Sequence, residues 1–310
     1  MLKSGACELT LLVRHPLPTL RKRALAAELG SDAFHVASRI PRTADVAWHP
    51  WNGTFFRGAA RNVVTMHDAV PFAFPNSNSP QRRSQQAPFE VSARIADRIL
   101  ADSAFTKSEI EKYLNVEPRR TQVVPLAADG LFSPGSPEKL PPALRDGRYI
   151  LYVGTLEAHK NVETLLKAWR RSLAPRGVTL AIVGADSPPA DVVALRGVPA
   201  PELRDLYRGA LCLAFPSLYE GFGLPALEAL ACGAPAIVSH AASLPEICGD
   251  AALYVNSPQD AAAWESALAR IAEDDDLRAD FCRRGPGQAA KFSWERTTAE
   301  TLAALAEAAG

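Results

Sequence analysis

No apolar run in this chain approaches the length of a membrane-crossing helix. Leu9–Val13 and Leu211–Phe215, among the longest, are five residues each, whereas a span needs about 20. The opening Met-Leu-Lys-Ser-Gly-Ala-Cys has no apolar signal-peptide core, so a cytoplasmic location is expected. Net charge is also missing: 34 basic residues balance 34 acidic ones. Such a balance gives no field to gather nucleic acid, which is therefore not an expected partner, and peripheral membrane contact would need a local basic patch. The five cysteines, Cys7, Cys212, Cys232, Cys248 and Cys282, contain no Cys-x-x-Cys pair. They are expected to be small buried hydrophobes and not metal or redox groups. No metal-ligand set is assigned.

What is present is room and rhythm. A length of 310 residues accommodates two domains. The C-terminal half alternates strand and helix: strand Tyr149–Val153, helix Asn161–Arg171, strand Val178–Val183, helix Pro201–Ala210, strand Leu211–Phe215. Strand Ala236–Val238, the strand-like Ala251–Val255 and helix Asp260–Glu273 complete it. This is βαβ repetition, which demands a parallel sheet covered on both faces. The N-terminal half predicts a second sheet from Glu8–Val13, Phe34–Ala37, Asp45–Trp48, Asn62–Met66, Arg98–Leu100 and Gln122–Val124, with helices near Phe89–Ala96 and Thr106–Leu114. The Pro- and Gly-rich stretch Ser133–Pro142 reads as an exposed linker. Expected boundaries are 1–140 for an N-terminal domain, 141–290 for a C-terminal one, and 291–310 for a last helix.

The most informative segment is Ser217-Leu-Tyr-Glu-Gly-Phe-Gly-Leu-Pro-Ala-Leu-Glu-Ala-Leu-Ala-Cys-Gly. It follows a short buried-type strand and opens a helix at Pro225, and Gly233 closes that helix. A helix start beyond a parallel strand offers unpaired N–H groups and a positive dipole end, the usual place for phosphate in an α/β sheet. Two carboxylates, Glu220 and Glu228, suit sugar hydroxyls, because one carboxylate accepts from two adjacent hydroxyls. An acidic first turn also satisfies the helix dipole without any ligand, so each glutamate alone supports either reading.

The whole string resembles the signature of family 4 of the retaining glycosyltransferases, the glycosyl transferases group 1. That resemblance implies a GT-B fold: α/β, two Rossmann-like domains with parallel sheets facing across a cleft. It covers nearly the whole chain. The final segment Phe292–Ala306 resembles the family's closing helix, which crosses back to the first domain. Carried over by position, Glu220 sits beside the transferred sugar and diphosphate and Glu228 binds the nucleotide ribose. Gly221, Phe222, Gly223 and Leu224 line the same donor pocket. Gly154-Thr-Leu-Glu-Ala-His-Lys-Asn161 resembles the donor-diphosphate loop, with Gly154 for the turn and Lys160 for the diphosphate charge. His159 and Thr155 stand where relatives commonly carry an arginine, one fixed cation fewer. Arg196–Tyr207 resembles the nucleobase loop, with main-chain contacts at Val198, and the segment between Gly184 and Arg196 is short for the family. Val63-Val-Thr-Met-His-Asp resembles its His-Asp element, which makes His67 a donor-sugar contact; Asp68 is expected to orient backbone, Ser103 to cap a helix, and Glu246 to be a helix-start residue.

The implied activity is a mannosyltransferase-like, metal-independent, retaining transfer of a hexose to a hydroxyl of a glycan, a lipid-linked acceptor or a small molecule. Mannose from GDP-mannose is the candidate donor, and no cofactor is expected. Against this stands one departure: no first strand and glycine-rich loop precede Glu8–Val13, and Met1–Ala6 read as the tail of a first helix. The N-terminal domain is thus expected to be incomplete, and a degenerate, non-catalytic sugar-nucleotide-binding protein or scaffold of the same fold is the rival reading.

Overall fold

The computed structural model describes residues 7–12, 22–29, 31–54, 60–145 and 148–310. Met1–Ala6 and Val13, on which two of the strand and helix expectations fall, lie outside them. The chain divides into two compact units. The first holds Met1–Asp102, Thr106–Val124 and Glu295–Gly310; the second holds Ser103–Phe105 and Pro125–Trp294.

The first unit begins with β1 (Thr10–Leu12), α1 (Lys22–Leu29), β2 (His35–Ala37), β3 (Val46–His49) and β4 (Arg61–Met66). It continues through α2 (Val70–Ala73), α3 (Ser79–Ile95), β5 (Arg98–Ala101), α4 (Ala104–Leu114) and β6 (Thr121–Val123). Strands β3, β4, β5 and β6 form a parallel four-stranded sheet in that order, and β1 and β2 pair separately, also parallel. Side chains of successive residues point to opposite faces of a strand. Val64, Met66, Ile99 and Ala101 therefore pack with Phe89, Ala93 and Ile110, whereas Val63 and Leu100 pack with Val124 and Ala304. Helix α3 is twice as long as the sequence suggests because it runs straight through Pro88. Asn78 caps its N-terminus by accepting from the Gln81 N–H.

The second unit contains α5 (Pro142–Arg145), β7 (Tyr149–Val153), α6 (Val162–Ser172), β8 (Thr179–Val183), β9 (Val193–Leu195), α7 (Ala200–Gly209) and β10 (Leu213–Phe215). It ends with α8 (Leu224–Ala231), β11 (Ala236–Ser239), α9 (Leu244–Cys248), β12 (Leu253–Val255), α10 (Ala261–Glu273) and α11 (Asp275–Ala289). Its six strands are all parallel, in the order β12-β11-β10-β7-β8-β9. Both faces are covered, as near-continuous burial of Tyr149–Tyr152, Leu180–Ile182 and Leu213–Phe215 requires. Helix α6 packs on α10, and α8 packs on α11. The last helix, α12 (Trp294–Ala309), groups with the first unit, where Ala304 is fully buried and Glu307 pairs with Arg98 at 2.9 Å.

One local expectation, the burial of all five cysteines, needs correction, and two short segments have more structure than the sequence shows. The short segment after Gly184 carries an edge strand, β9, on β8. Ser133–Pro142 is largely exposed, as expected, and it is held in place: Asp205 accepts the Glu138 and Lys139 N–H groups, and Arg208 donates to the Ser133 and Pro134 carbonyls. Cys212, Cys232 and Cys248 are buried as expected, but Cys7 and Cys282 are exposed; Cys282 lies on α11, a helix that the Gly-Pro-Gly at 285–287 conceals in the sequence.

That tripeptide is also a packing device. A Cβ at Gly285 would stand 2.9 Å from the Leu230 carbonyl oxygen and 3.3 Å from its Cα, so a glycine here sets how closely α11 approaches α8. Gly287, two residues on, has nothing within 4 Å. Gly285→Ala is expected to destabilise the protein by about 1–3 kcal/mol through overpacking against backbone. Gly287→Ala should instead be neutral or stabilising by about 0.4–1 kcal/mol. Urea denaturation of the two variants checks this; equal effects would remove the packing role of Gly285.

Candidate functional site

In the second sheet the strand order reverses between β7 and β10, since the chain proceeds from β7 to β8 on one side and from β10 to β11 on the other. Ligands of open parallel sheets bind beyond the carboxyl ends of such a pair. The loops leaving β7 and β10 are the ones that carry Lys160 and Glu220.

After β7, Gly154 has φ +147°, and a Cβ there would sit 2.8 Å from the Tyr152 hydroxyl oxygen. That buried hydroxyl donates to the Thr155 carbonyl at 2.6 Å and holds the turn. The loop ends on Asn161 in the left-handed region, φ +55°. Its side-chain amide donates to the Pro216 and Pro258 carbonyls, tying the β7 loop to the segments after β10 and β12. His159 is buried, with its imidazole 3.8 Å from Glu157. Lys160 reaches the other way: its Nζ donates to Glu220 Oε1 at 2.8 Å, with the lysine side chain 18% and the glutamate 11% exposed. Both are thus screened from water, where an ion pair is worth more than at a surface but stripping one partner costs correspondingly.

The Glu220–Gly223 loop is held by its carbonyls. Buried Ser243 Oγ lies 2.9 Å from the Glu220 oxygen and 2.8 Å from the Phe222 oxygen, and Ser103 Oγ donates to the Gly221 oxygen at 2.6 Å. Since C=O and N–H of a trans peptide point in opposite directions, carbonyls drawn towards these serines turn the following N–H groups away from them. Gly223 then adopts φ +103°, where a side chain would be strained and a Cβ would meet Leu244 Cδ2 at 2.8 Å. Helix α8 starts at Leu224 without a side-chain cap from Gly223; Pro225 has no N–H, and the Ala226 and Leu227 N–H groups donate to the Gly223 carbonyl, which leaves the Gly223–Leu224 turn as the part of the helix start open to a ligand. The Phe222 ring is buried edge-to-face against Phe292, centroids 5.6 Å apart, so what Phe222 offers a ligand is backbone.

Glu228 lies one turn into α8. The hydroxyl of fully buried Tyr207, on α7, donates to Glu228 Oε2 at 2.9 Å. Burial is the main force that pushes the Glu228 carboxyl up to about 7; Tyr207 opposes it and the charge of Asp129 adds to it. Val198, half-buried, stands in the turn between β9 and α7. Glu246, in the first turn of α9, accepts the Ala104 and Phe105 N–H groups, so it terminates the N-terminus of α4.

In the first unit, Met66 and Ala101 are register partners on β4 and β5. The residues that follow each, His67 and Asp102, are therefore neighbours, and His67 Nδ1 lies 2.7 Å from Asp102 Oδ2. His67 Nε2 donates to the Pro50 carbonyl at 3.0 Å, which fixes a proton on that nitrogen. Burial works against the imidazolium, but Asp102 and Pro50 outweigh it and raise the His67 pKa. Asp102 is 2% exposed, and its Oδ1 has no hydrogen-bond partner. Asp68 accepts the Val70 N–H and shapes the loop.

Lys160 and Glu220 thus meet directly, with Gly221–Leu224 and Glu228 continuing from the same loop into α8. Sequence reasoning missed Tyr207, Ser243 and Asp102. Asp102 alone had a legible signal, its place one residue past a strand beside the strand that ends at His67. Among the described residues no group of three His, Cys, Asp or Glu side chains could hold a metal ion, and no helix is long and apolar enough to cross a membrane.

Known proteins resemble the chain over most of its length. Residues 141–288 match the family model described as glycosyl transferases group 1, and residues 8–129 match that of Glycosyltransferase Family 4. The chain is 34% identical over 280 residues to O-antigen chain mannosyltransferase B of Escherichia coli, covering 83% of this chain and 73% of that protein. It is 29% identical to D-inositol 3-phosphate glycosyltransferase of Actinosynnema mirum, covering 79% of this chain and 65% of the other. Sucrose-phosphate synthase from Thermosynechococcus elongatus superposes with a TM-score of 0.70 at 21% identity, covering 99% of this chain and 83% of that one. The fold is accordingly GT-B, built of two Rossmann-like units.

The protonation of Glu228 has a measurable consequence. With a native pKa of about 7 against 4.5 for the unconstrained group, the native state binds more protons than the unfolded state between those values. Stability therefore falls as pH rises from 4.5 to 7, by up to about 3 kcal/mol, and stays reduced above that window. Glu228→Gln removes this component. Chemical denaturation at pH 5 and pH 8 should show the variant gaining on the wild type at the higher pH, and an equal difference at both would contradict the assignment.

Proposed function

The chain belongs to the glycosyl transferases group 1 family, and from that premise we propose that it transfers a hexose from a nucleotide diphosphate sugar to a hydroxyl acceptor, with retention of anomeric configuration and without a metal ion. The observation that carries the reading is the Lys160–Glu220 pair, 2.8 Å apart at the reversal of strand order, beside the uncapped start of α8. A diphosphate placed there meets outward-turned N–H groups and a positive helix end. Lys160 then exchanges part of its attachment to Glu220 for a phosphate oxygen and stabilises the charge that grows on the leaving diphosphate. Glu220, released from neutralising Lys160 alone, accepts from the hydroxyls of the transferred sugar. Glu228 accepts from the hydroxyls of the nucleotide ribose, and the main chain at Val198 faces the base.

No side chain is assigned as general base; the departing phosphate oxygen takes the acceptor proton on the face from which it leaves. A donor-sugar contact at His67 requires Nε2 to exchange the Pro50 carbonyl for a sugar oxygen, to which it can donate. Mannose is the favoured hexose because the mannosyltransferase relative is the one matched at 34% identity. GDP-mannose is correspondingly the donor to try first.

Purified protein given GDP-mannose or UDP-glucose, with and without oligosaccharide acceptors, tests the reading by release of nucleoside diphosphate. Glu228→Ala should weaken donor binding by about tenfold or more, the loss expected for charge-assisted hydrogen bonds. Glu220→Ala should lower turnover by about 10²–10³ with donor binding less affected. Donor binding without turnover in the wild type would replace transfer by a non-catalytic binding role, and wild-type kinetics in both variants would refute the site.

A further inference from the structure

Tyr207 lies on α7, beyond the turn that holds Val198, and its hydroxyl bonds the glutamate assigned to the ribose. The residue is 0% exposed, and its ring packs edge-to-face on Phe132 with centroids 5.9 Å apart. Its hydroxyl donates to Glu228 Oε2 at 2.9 Å. Burial, with the charge of Glu228 adding to it, keeps the phenol protonated far beyond neutral pH, so Tyr207 acts as a fixed donor. Its helix is itself clamped: Asp205 and Arg208, on either side of it, hold residues 133–139 through four main-chain groups.

We propose that Tyr207 is a positioning residue for nucleotide recognition, which fixes one oxygen of the Glu228 carboxylate so that the other is presented, ionised and oriented, to the two adjacent hydroxyls of the donor ribose. The proposal rests on the reading that Glu228 is the ribose ligand. Its physical basis is the count of acceptors. A carboxylate offers about four lone-pair sites, of which Tyr207 occupies one on Oε2, leaving Oε1 with both of its own. A vicinal diol that donates twice needs two acceptors in one plane. If Glu228 gains a proton, Oε2 is already taken as an acceptor from Tyr207, so the proton goes to Oε1 and converts the ligand-facing oxygen into a donor. Affinity for the diol therefore requires the ionised form, and Tyr207 favours that form. The other titratable groups facing Glu228 are Asp129, whose charge opposes ionisation, and Cys232, whose thiol burial pushes up to about 12 and so keeps neutral.

The test uses binding of GDP-mannose and UDP-glucose, whose phosphates do not titrate near neutrality, measured by calorimetry from pH 5.5 to 9 on wild type, Tyr207→Phe, Glu228→Gln and the double variant. Wild-type affinity should rise with pH and level off above about 7, the value to which Glu228 is pushed. Tyr207→Phe keeps the ring and its packing; it should lose about tenfold at pH 7, move the midpoint upward and recover much of the loss at pH 9, with turnover at saturating donor little changed. In the Glu228→Gln background it should cost nothing further. 3-Fluorotyrosine at position 207, a stronger donor of nearly the same shape, should move the midpoint down and supplies the test if the phenylalanine variant does not fold. If Glu228→Gln weakens binding but Tyr207→Phe leaves the midpoint in place and its loss adds to that of Glu228→Gln, the positioning role is overturned while the ribose reading stands. If Glu228→Gln binds like wild type, or neither probe binds the wild type, the ribose reading itself fails.

Discussion

Two adjacent parallel strands whose chains depart to opposite sides of a sheet leave their carboxyl ends uncovered by the helices that follow them. In the second unit β7 and β10 are that pair. Right-handed crossovers carry α6 and α8 to opposite faces, so the space beyond the two strand ends is filled only by loops. Those loops cannot be loose, because each must satisfy its buried main chain without the regularity of a helix or sheet. The structure meets this demand with side chains: Asn161 bonds the Pro216 and Pro258 carbonyls, Ser243 those of Glu220 and Phe222, and Ser103 that of Gly221. Once the carbonyls are committed, the N–H groups and the start of α8 are what the crevice has to offer, and both attract anions.

The charges in the crevice follow from the same geometry. An ammonium held 18% exposed cannot remain unpaired without a large desolvation cost, so Lys160 is balanced by Glu220. In the proposed reaction the pair is an exchange site: a phosphate takes over part of the lysine, and the glutamate that it displaces becomes an acceptor for sugar hydroxyls. In the first unit His67 and Asp102 solve a similar problem differently, sharing a proton at 2.7 Å with a second acceptor, the Pro50 carbonyl, behind the ring. There the pairing fixes the protonation of the imidazole. In the second unit it leaves the lysine transferable.

Most strands were legible in the sequence because parallel strands buried on both faces appear as short continuous apolar runs; the half-buried edge strand β9 was not, and the six expected N-terminal strands fall into a pair and a four-stranded sheet. Two helices were not fully legible, and for one reason. Pro88 in α3 and Pro286 in α11 read locally as boundaries, but tertiary packing on the sheet and on α8 carries the helices through them. The site divides the same way. Glu220 and Glu228 stand out in the sequence because two carboxylates around a helix entrance have a chemical meaning, and Lys160 through the family resemblance; the structure brings Lys160 and Glu220 into contact. Tyr207 and Ser243 do not: each works through contact with a residue 21 or more positions away, and nothing near it in sequence distinguishes a buried tyrosine that fills a core from one that orients a carboxylate.

Glu228 shows how such a site departs from what folding alone would select. A carboxyl pushed up to about 7 by burial is a standing cost at neutral pH, which a glutamine or a leucine on α8 would avoid. Solvent reaches the half-buried carboxylate only in part, and the charge of Asp129 adds to the cost. The single compensation is the Tyr207 hydroxyl, a neutral donor that lowers the cost of the ionised form without satisfying its remaining lone pairs. An arginine in that place would have neutralised the carboxylate and occupied both oxygens. A neutral donor on one oxygen leaves the other open to a ligand, and a half-buried carboxylate gains from hydroxyls that replace its remaining water. Under the proposed ribose role, the destabilising feature of the helix is thus the same feature that would give it affinity.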